Sequence, residues 1–395
     1  MRTRSLAVLI PAALAVALLP ALPAAARLGP SWVPGPDLLP RNSTGAEFKG
    51  VSASSATDIW AVGVVRTTTD NPLAANYNGK GWTVTPTPAA PGGNRYNLLA
   101  VDAVQRADAW AVGSYAASPT AAFRTAAVLH YDGAWTADPL PIQPIGVGSE
   151  LTDVDMSATG GWAVGWLKSG AKVRALVLRR TGGIWSPVGI PDADASNTEL
   201  SAVFARNDND VWVAGSQVRL DGRRIAMTMH WDGTGWLEHR VPVVSEADEE
   251  TFLAGISSSE PGDVWAAGRM CREIHQLETC RPLAVRFTGS EWTVVPTNGE
   301  ETELTEIIAF SPSDVWAIGY TGDTPLLETD YAEHWDGTVF TPDASGPPDP
   351  DGPIANGEPA SALSSATAIP GTGGIWAVGW ARDPIRGAAH VVHRD

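Results

Sequence analysis

Four glutamates hold one recurring place in this chain. Glu47, Glu150, Glu199 and Glu303 each directly precede an apolar run, and Asn97 stands at the same place in another copy. Carboxylates repeated in this way would ring a single opening. At about 7 Å and an effective dielectric near 20, each neighbouring pair repels by roughly 2 kcal/mol. Such a ring either holds raised pKa values or takes up a cation, and oxygen ligands favour Ca²⁺. The alternative is a solvated residue that caps each strand entry. Asp192-x-Asp194-x-Ser196 is half of a calcium-loop pattern. Three aromatics form a second set. Trp166, Tyr320 and Trp380 immediately follow the glycine of a WAVG-like string, where other copies carry Val64, Ser114, Ser216 and Arg269. A Trp exposed at such a place stacks on a sugar ring; packing beneath a loop is the competing role.

Histidine and cysteine chemistry is limited by position. His130, His230, His334 and His393 share one place in the repeat, which Asn76, Arg179 and Arg286 hold in other copies. Residues in separate copies do not converge on one metal, and His239, His275 and His390 have no ligand spacing. Cys271 and Cys280, the two cysteines, have eight residues between them and are expected to pair as a clasp across one hairpin. No nucleophilic Ser motif, P-loop or dinucleotide fingerprint occurs.

These residues are set by a repeat. DIWAVG, ending at Gly63, returns as DAWAVG, GGWAVG, DVWVAG, DVWAAG, DVWAIG and GIWAVG, the last ending at Gly379. The first Trp of each copy is Trp60, Trp110, Trp162, Trp212, Trp265, Trp316 and Trp376, at spacings of 50, 52, 50, 53, 51 and 60. Each copy reads as four strands. An apolar strand a is followed by a short turn, often with Asp two residues before the Trp (Asp58, Asp108, Asp210, Asp263, Asp314). Strand b is the WAVG string, and strand c is exemplified by AVLHYDG. A tight turn then leads to strand d, opened by Trp82, Trp135, Trp185, Trp236, Trp292 or Phe340. Four short strands at a period near 50 predict an all-β fold, a seven-bladed β-propeller of four-stranded antiparallel blades. The seventh copy stops after strand c. SWVPGP, at 31–36, reads as the missing strand d, so the N-terminal strand closes the last blade and removes an open edge. Repeated Trp residues are then core, filling the wedges between blades.

The rest of the chain fits that plan. Residues 1–26 carry Arg2 and Arg4, an apolar run and an Ala24-x-Ala26 site, which is the pattern of a secretory signal peptide. A single propeller domain then spans 27–395, with no membrane span after signal cleavage, in a secreted, extracellular monomer. Acids outnumber bases 44 to 27, a net charge of −17, which disfavours nucleic acid. The variable b–c and d–a loops share one face. Its d–a loops are acidic (191–199, 245–250, 298–303, 343–352). Its b–c loops are basic (Arg66, Lys168, Lys172, Arg174, Arg219, Arg223, Arg224, Arg272, Arg382, Arg386). The acids are expected nearer the axis and the bases further out.

The glycine ending strand b, the aromatic in strand c and the Trp opening strand d resemble kelch repeats of the galactose-oxidase type, with one glycine where kelch repeats carry two. The turns Asp132 to Trp135 and Asp232 to Trp236 resemble Asp-box turns of sialidase-like propellers without the full motif. This resemblance implies the fold. It does not choose a function, because such propellers host oxidases, hydrolases, lectins and scaffolds. A copper oxidase of this type would need a Cys joined to a Tyr, and both cysteines are assigned to one loop. The leading expectation is a non-catalytic module that binds an extracellular glycan or protein on the d–a/b–c face, with no cofactor other than Ca²⁺ at the glutamates. The alternative is a polysaccharide hydrolase or lyase using loop carboxylates. A structural envelope protein is the third.

Overall fold

The structure is a computed structural model. It describes residues 31–36, 38–40, 42–89, 95–118, 120–141, 147–157, 159–191, 197–242, 249–274, 277–322, 328–343, 346, 360–382 and 387–395, with backbone alone at 273, 274, 277 and 278. Residues 1–26, expected from the sequence to be a signal peptide, lie outside these residues. So do the Asp192-x-Asp194-x-Ser196 pattern, His275, Arg386 and most of the acidic loops at 191–199, 245–250 and 343–352.

Every described element is a strand. Unit 1 is the run Gly45–Ser55, Asp58–Arg66, Asp70–Tyr77 and Trp82–Val84, each strand antiparallel to the one before it. The same four-stranded run begins again at Tyr96, Gly148, Asn197, Glu250 and Thr302. A last unit holds Ser361–Ala368, Ile375–Arg382 and Gly387–Arg394. Its fourth strand comes from the other end of the chain. Trp32–Pro34 pairs antiparallel with Gly387–Arg394, with Trp32 opposite Arg394 and Pro34 opposite Val392. Single parallel bridges at Gly45/Gly387 and Val173/Asn197 join neighbouring units.

Aromatic packing explains why the units form a closed ring. The strand b Trp of each unit meets the aromatic that opens strand d of the next. Trp60 meets Trp135 edge-on at 5.2 Å between ring centroids, Trp212 meets Trp292 at 5.8 Å, and Trp376 meets Trp82 at 5.4 Å. Trp316 meets Trp32 at 6.3 Å, so the borrowed strand fills the wedge that the seventh repeat leaves open. Edge-to-face pairs are worth about 0.5–1.5 kcal/mol each beyond the area they bury.

The shared histidine position is structural. His130, His230 and His334 stack on Trp110, Trp212 and Trp316, and each Nε2 meets the Asp two residues before that Trp at 2.8–2.9 Å. Other units keep the geometry with different chemistry. Asn76 donates to Asp58 at 3.0 Å. Arg286 bonds Asp263 at 2.6 Å while lying over Trp265. The Asp, the Trp and the strand c residue thus form one repeated brace.

The glycine that ends each WAVG string has an equally local cause. Strand a carries a β-bulge opposite it, between Phe48 and Gly50 in unit 1 and between Leu200 and Ala202 in unit 4. The bulge pushes a strand a carbonyl at strand b. A Cβ on Gly63 would lie 2.0 Å from the Glu47 carbonyl oxygen, and one on Gly319 would lie 1.9 Å from that of Glu303. Only glycine fits beneath that carbonyl. The residue that owns it is the recurring glutamate, so the repeat positions those side chains.

Candidate functional site

Each recurring glutamate sits in strand a, opposite the residue that follows the WAVG glycine. Glu47 faces Val64, Glu150 faces Trp166, Glu199 faces Ser216 and Glu303 faces Tyr320. The other three units hold Asn97, Phe252 and Ala362 at this register, opposite Ser114, Arg269 and Trp380.

The glutamates are not a bare carboxylate ring. Arg66 Nη2 lies 2.9 Å from Glu47, which also pairs with Lys49. Arg124 lies 3.5 Å from Glu150, which also accepts from Ser114. Arg224 lies 3.6 Å from Glu199. Arg269 Nη1 lies 2.9 Å from Glu303, and the Tyr320 hydroxyl donates to the same carboxylate at 2.7 Å. Arg124 and Arg269 reach across from the preceding unit. The acidic and basic zones expected apart therefore interlock, and the arginines replace the mutual repulsion with neutralised pairs. Among the described residues, no group of three or more His, Cys, Asp or Glu is placed to hold a metal ion.

The candidate residues fall into two groups. Trp166 with Glu150, and Glu199, stand in units 3 and 4 on their own local pairs. Tyr320, Glu303 and Glu47 belong to one connected neighbourhood above the closing unit. Burial, Glu303 and Glu47 together raise Glu328, and Lys49 opposes them. Burial, Glu303 and Glu328 raise the Tyr320 hydroxyl, and Arg269 opposes them. Charged groups of units 5, 6 and 1 thus meet over unit 7. There the strand a register holds Ala362 and pairs with half-buried Trp380. A small, buried residue thus stands at this register between two charged groups, with an indole at the paired position. Glu328, Lys49 and Arg269 were not among the sequence candidates. Their one signal was the break in the repeat at Ala362.

Beneath this layer, further carboxyls face the interior. Asp102 accepts from Ser52 Oγ at 3.0 Å and from the Met156 N–H of the next unit at 2.8 Å. Asp153 accepts from Val203 N–H at 2.8 Å and Asp155 from Ala205 N–H at 2.7 Å, both in the next unit. Desolvation pushes Asp102 up to about 6 and Asp153 to about 7, and holds Asp155 well above the ordinary range. Desolvation, helped by Asp153 from across the ring, pushes Glu306 to about 8. These side chains keep intermediate accessibility because they line an interior surface, yet protein atoms displace most of their hydration.

On the same face, Cys271 and Cys280 form a disulfide across the hairpin of strands Asp263–Ile274 and Leu277–Phe287, with Cα atoms 4.1 Å apart. Beside it lies a cavity of about 430 Å³. His390 is fully buried, with Nε2 2.8 Å from Asp330 of the neighbouring unit, and serves as a brace at the closure.

Neither protein-family models nor curated proteins match the chain. Solved structures share its fold. YCF48 from Cyanidioschyzon merolae superposes with a TM-score of 0.50 at 10% identity, over 92% of this chain and 98% of its own. A polysaccharide lyase, an ulvan lyase bound to a saccharide, gives 0.52 at 13% identity, over 89% of this chain and 92% of its own. Trypanosoma rangeli sialidase gives 0.50 at 9% identity, over 93% of this chain and 60% of its own. Likeness at these identities shows the fold alone: the chain is an all-β propeller of four-stranded antiparallel units.

Proposed function

We propose that the chain is an extracellular, non-catalytic propeller that binds a carbohydrate over Ala362, with Trp380 as the stacking surface. The single observation that carries this reading is the place of Trp380, half-buried opposite Ala362. The one small residue at the glutamate register in the two closing seams lies between the Glu303–Tyr320–Arg269 group and the Glu47–Lys49–Arg66 group. Carboxylates already paired with arginine accept hydrogen bonds from sugar hydroxyls without carrying a free charge into the contact. An indole beside them supplies the apolar face. The lyase and sialidase among the structural neighbours are in keeping with a carbohydrate role, and the WAVG glycine with a kelch-like reading of the repeat.

The test is an oligosaccharide and polysaccharide panel against the full chain, with Ca²⁺ and with chelator, scored for binding and for product. Saturable binding without product is expected. It should persist in chelator, since the glutamates are held by arginine. Trp380→Ala should weaken it by about tenfold at an unchanged melting temperature. Silence in every well would overturn the carbohydrate reading in favour of a protein partner.

One observation favours a catalytic second reading. Burial and then Glu303 raise Glu328, so two carboxyls in different surroundings stand close together beside Tyr320. Product release that vanishes in Glu328→Gln would establish that reading and displace the binding module.

A further inference from the structure

The hairpin tied by Cys271–Cys280 leaves a strand edge uncovered. The fourth strand of its unit, Trp292–Val295, pairs only with Ala284–Phe287. From Leu277 to Arg281 the outer edge of the third strand carries no strand among the described residues, while Pro282 has no N–H to offer and its carbonyl accepts from Thr297. Backbone direction along it follows from the antiparallel alternation. Thr288 N–H donates to the Glu291 carbonyl at 3.4 Å, and Thr297 Oγ1 donates to the Pro282 carbonyl at 3.4 Å. Even-numbered residues therefore face outward, and Cys280 presents its N–H and C=O beyond the end of the fourth strand.

A trough follows this edge. The cavity of about 430 Å³ lies between Arg272, Thr279, Cys280 and Arg281 on the hairpin and Gly299, Glu300 and Glu301 on the next d–a loop. A second hollow of about 230 Å³ shares Arg281 and Gly299 with it and continues over Met270, Leu283 and Val295. One end is charged and the other apolar. Arg281 is held by Glu249 at 3.2 and 2.7 Å, and buried Glu249 fixes it in place. Glu300 and Glu301 are exposed, and their side chains have no ion pair or hydrogen bond among the described residues. Their carbonyls are fixed by Thr302, Thr321 and Gly322. Each recurring glutamate has an arginine; Glu300 and Glu301 pair with none among the described residues, although Arg272 lines the same cavity.

We propose that this trough binds an extended polypeptide bearing a basic side chain, which adds as a short strand to the Leu277–Arg281 edge and places its cation between Glu300 and Glu301. The main chain of the guest bonds to the edge, the two carboxylates select its charge, and the apolar hollow takes an alternate side chain. The disulfide keeps the overhanging edge in register. This proposal is independent of the carbohydrate reading, since the trough shares no residue with the surroundings of Ala362 and Trp380.

The experiment titrates the full chain with three octapeptides: alternating Val-Lys, alternating Val-Glu, and the Val-Lys sequence with alternate backbone nitrogens methylated. The Val-Lys peptide is expected to bind saturably, with each of the other two weaker by about tenfold or more. Glu300→Gln with Glu301→Gln should weaken Val-Lys binding by about tenfold, with Trp380→Ala leaving it unchanged. Equal binding of Val-Lys and Val-Glu would overturn the charge selection. Equal binding of the methylated peptide would overturn strand addition. No binding, or full binding by the Gln variants in a folded protein, would overturn the site.

Discussion

In the outer wedges a strand b Trp meets the aromatic of the next strand d seven times, and in five units an Asp two residues before that Trp braces it through a His, Asn or Arg of strand c. At the centre, the strand a position opposite that Trp holds Ser52, Asp102, Asp155, Phe204, Ser257, Ile308 and Thr367. Ser52, Asp102, Asp155 and Ser257 each accept a backbone N–H from the following unit. Phe204 and Ile308 have no side-chain acceptor to offer there. The outer wedge must close at the same angle in every unit, so one aromatic solution recurs. The inner strands are held together by main-chain geometry once the ring has closed, and their side chains are free to differ.

The contrast can be broken most severely at the rim. Trp212→Ala removes the side chain that packs on Phe287 and Trp292. It should cost about 3–5 kcal/mol of unfolding free energy, measured by urea titration. A near-neutral result would place the ring's stability elsewhere. Replacing Cys271 and Cys280 together by Ser should cost roughly 2–3 kcal/mol by loop entropy, and melting under reducing conditions should reproduce the loss in the native chain.

At the centre the sign reverses with pH. Glu306 is raised from an ordinary 4.5 to about 8, so the folded chain binds that proton more tightly than the unfolded one. Stability contributed there is complete at pH below about 4.5 and declines as pH rises to about 8. Glu306→Gln should therefore stabilise the chain on the order of 1–2 kcal/mol at pH 8 and do little at pH 4.5, flattening the slope. An unchanged slope in urea midpoints would show that Glu306 is solvated in the folded state. Smallest of all, Ser52→Ala should cost about 0.5–1.5 kcal/mol, because it removes the hydroxyl that accepts from the Ala103 N–H and donates to Asp102. A larger loss would mean that the central side chains govern closure after all.

The repeat made the fold legible. Spacing of the Trp residues, the glycine under the bulge and the orphan SWVPGP segment each have a local physical cause that survives in sequence. The site was legible only where it broke the repeat. Trp380 and Tyr320 stood out, but Arg269 and Glu303 come from different units, and nothing in their spacing announces the pair. Asp153 and Glu306 are farther apart still. They interact because the ring brings its third and sixth units to face one interior, and a linear reading of a polar residue inside a strand cannot anticipate that. The Asp–His brace was half visible: the Asp and the His were both noted, while their alliance depends on strands b and c lying side by side.

Trp32 opposite Arg394 also sets a timetable. The strand that completes the ring is made among the first, and its partner among the last. No earlier-made unit can serve, since each already holds its own fourth strand. The early strand must wait, unpaired, until the rest of the chain has been synthesised. Closure is the longest-range strand pairing among the described residues and the natural slow step of folding. Until it happens the nascent chain offers two open edges, and a neighbour's first strand fits the vacancy as well as its own. Exchange of that strand between two chains is thus the characteristic error to which this molecule is exposed at high concentration.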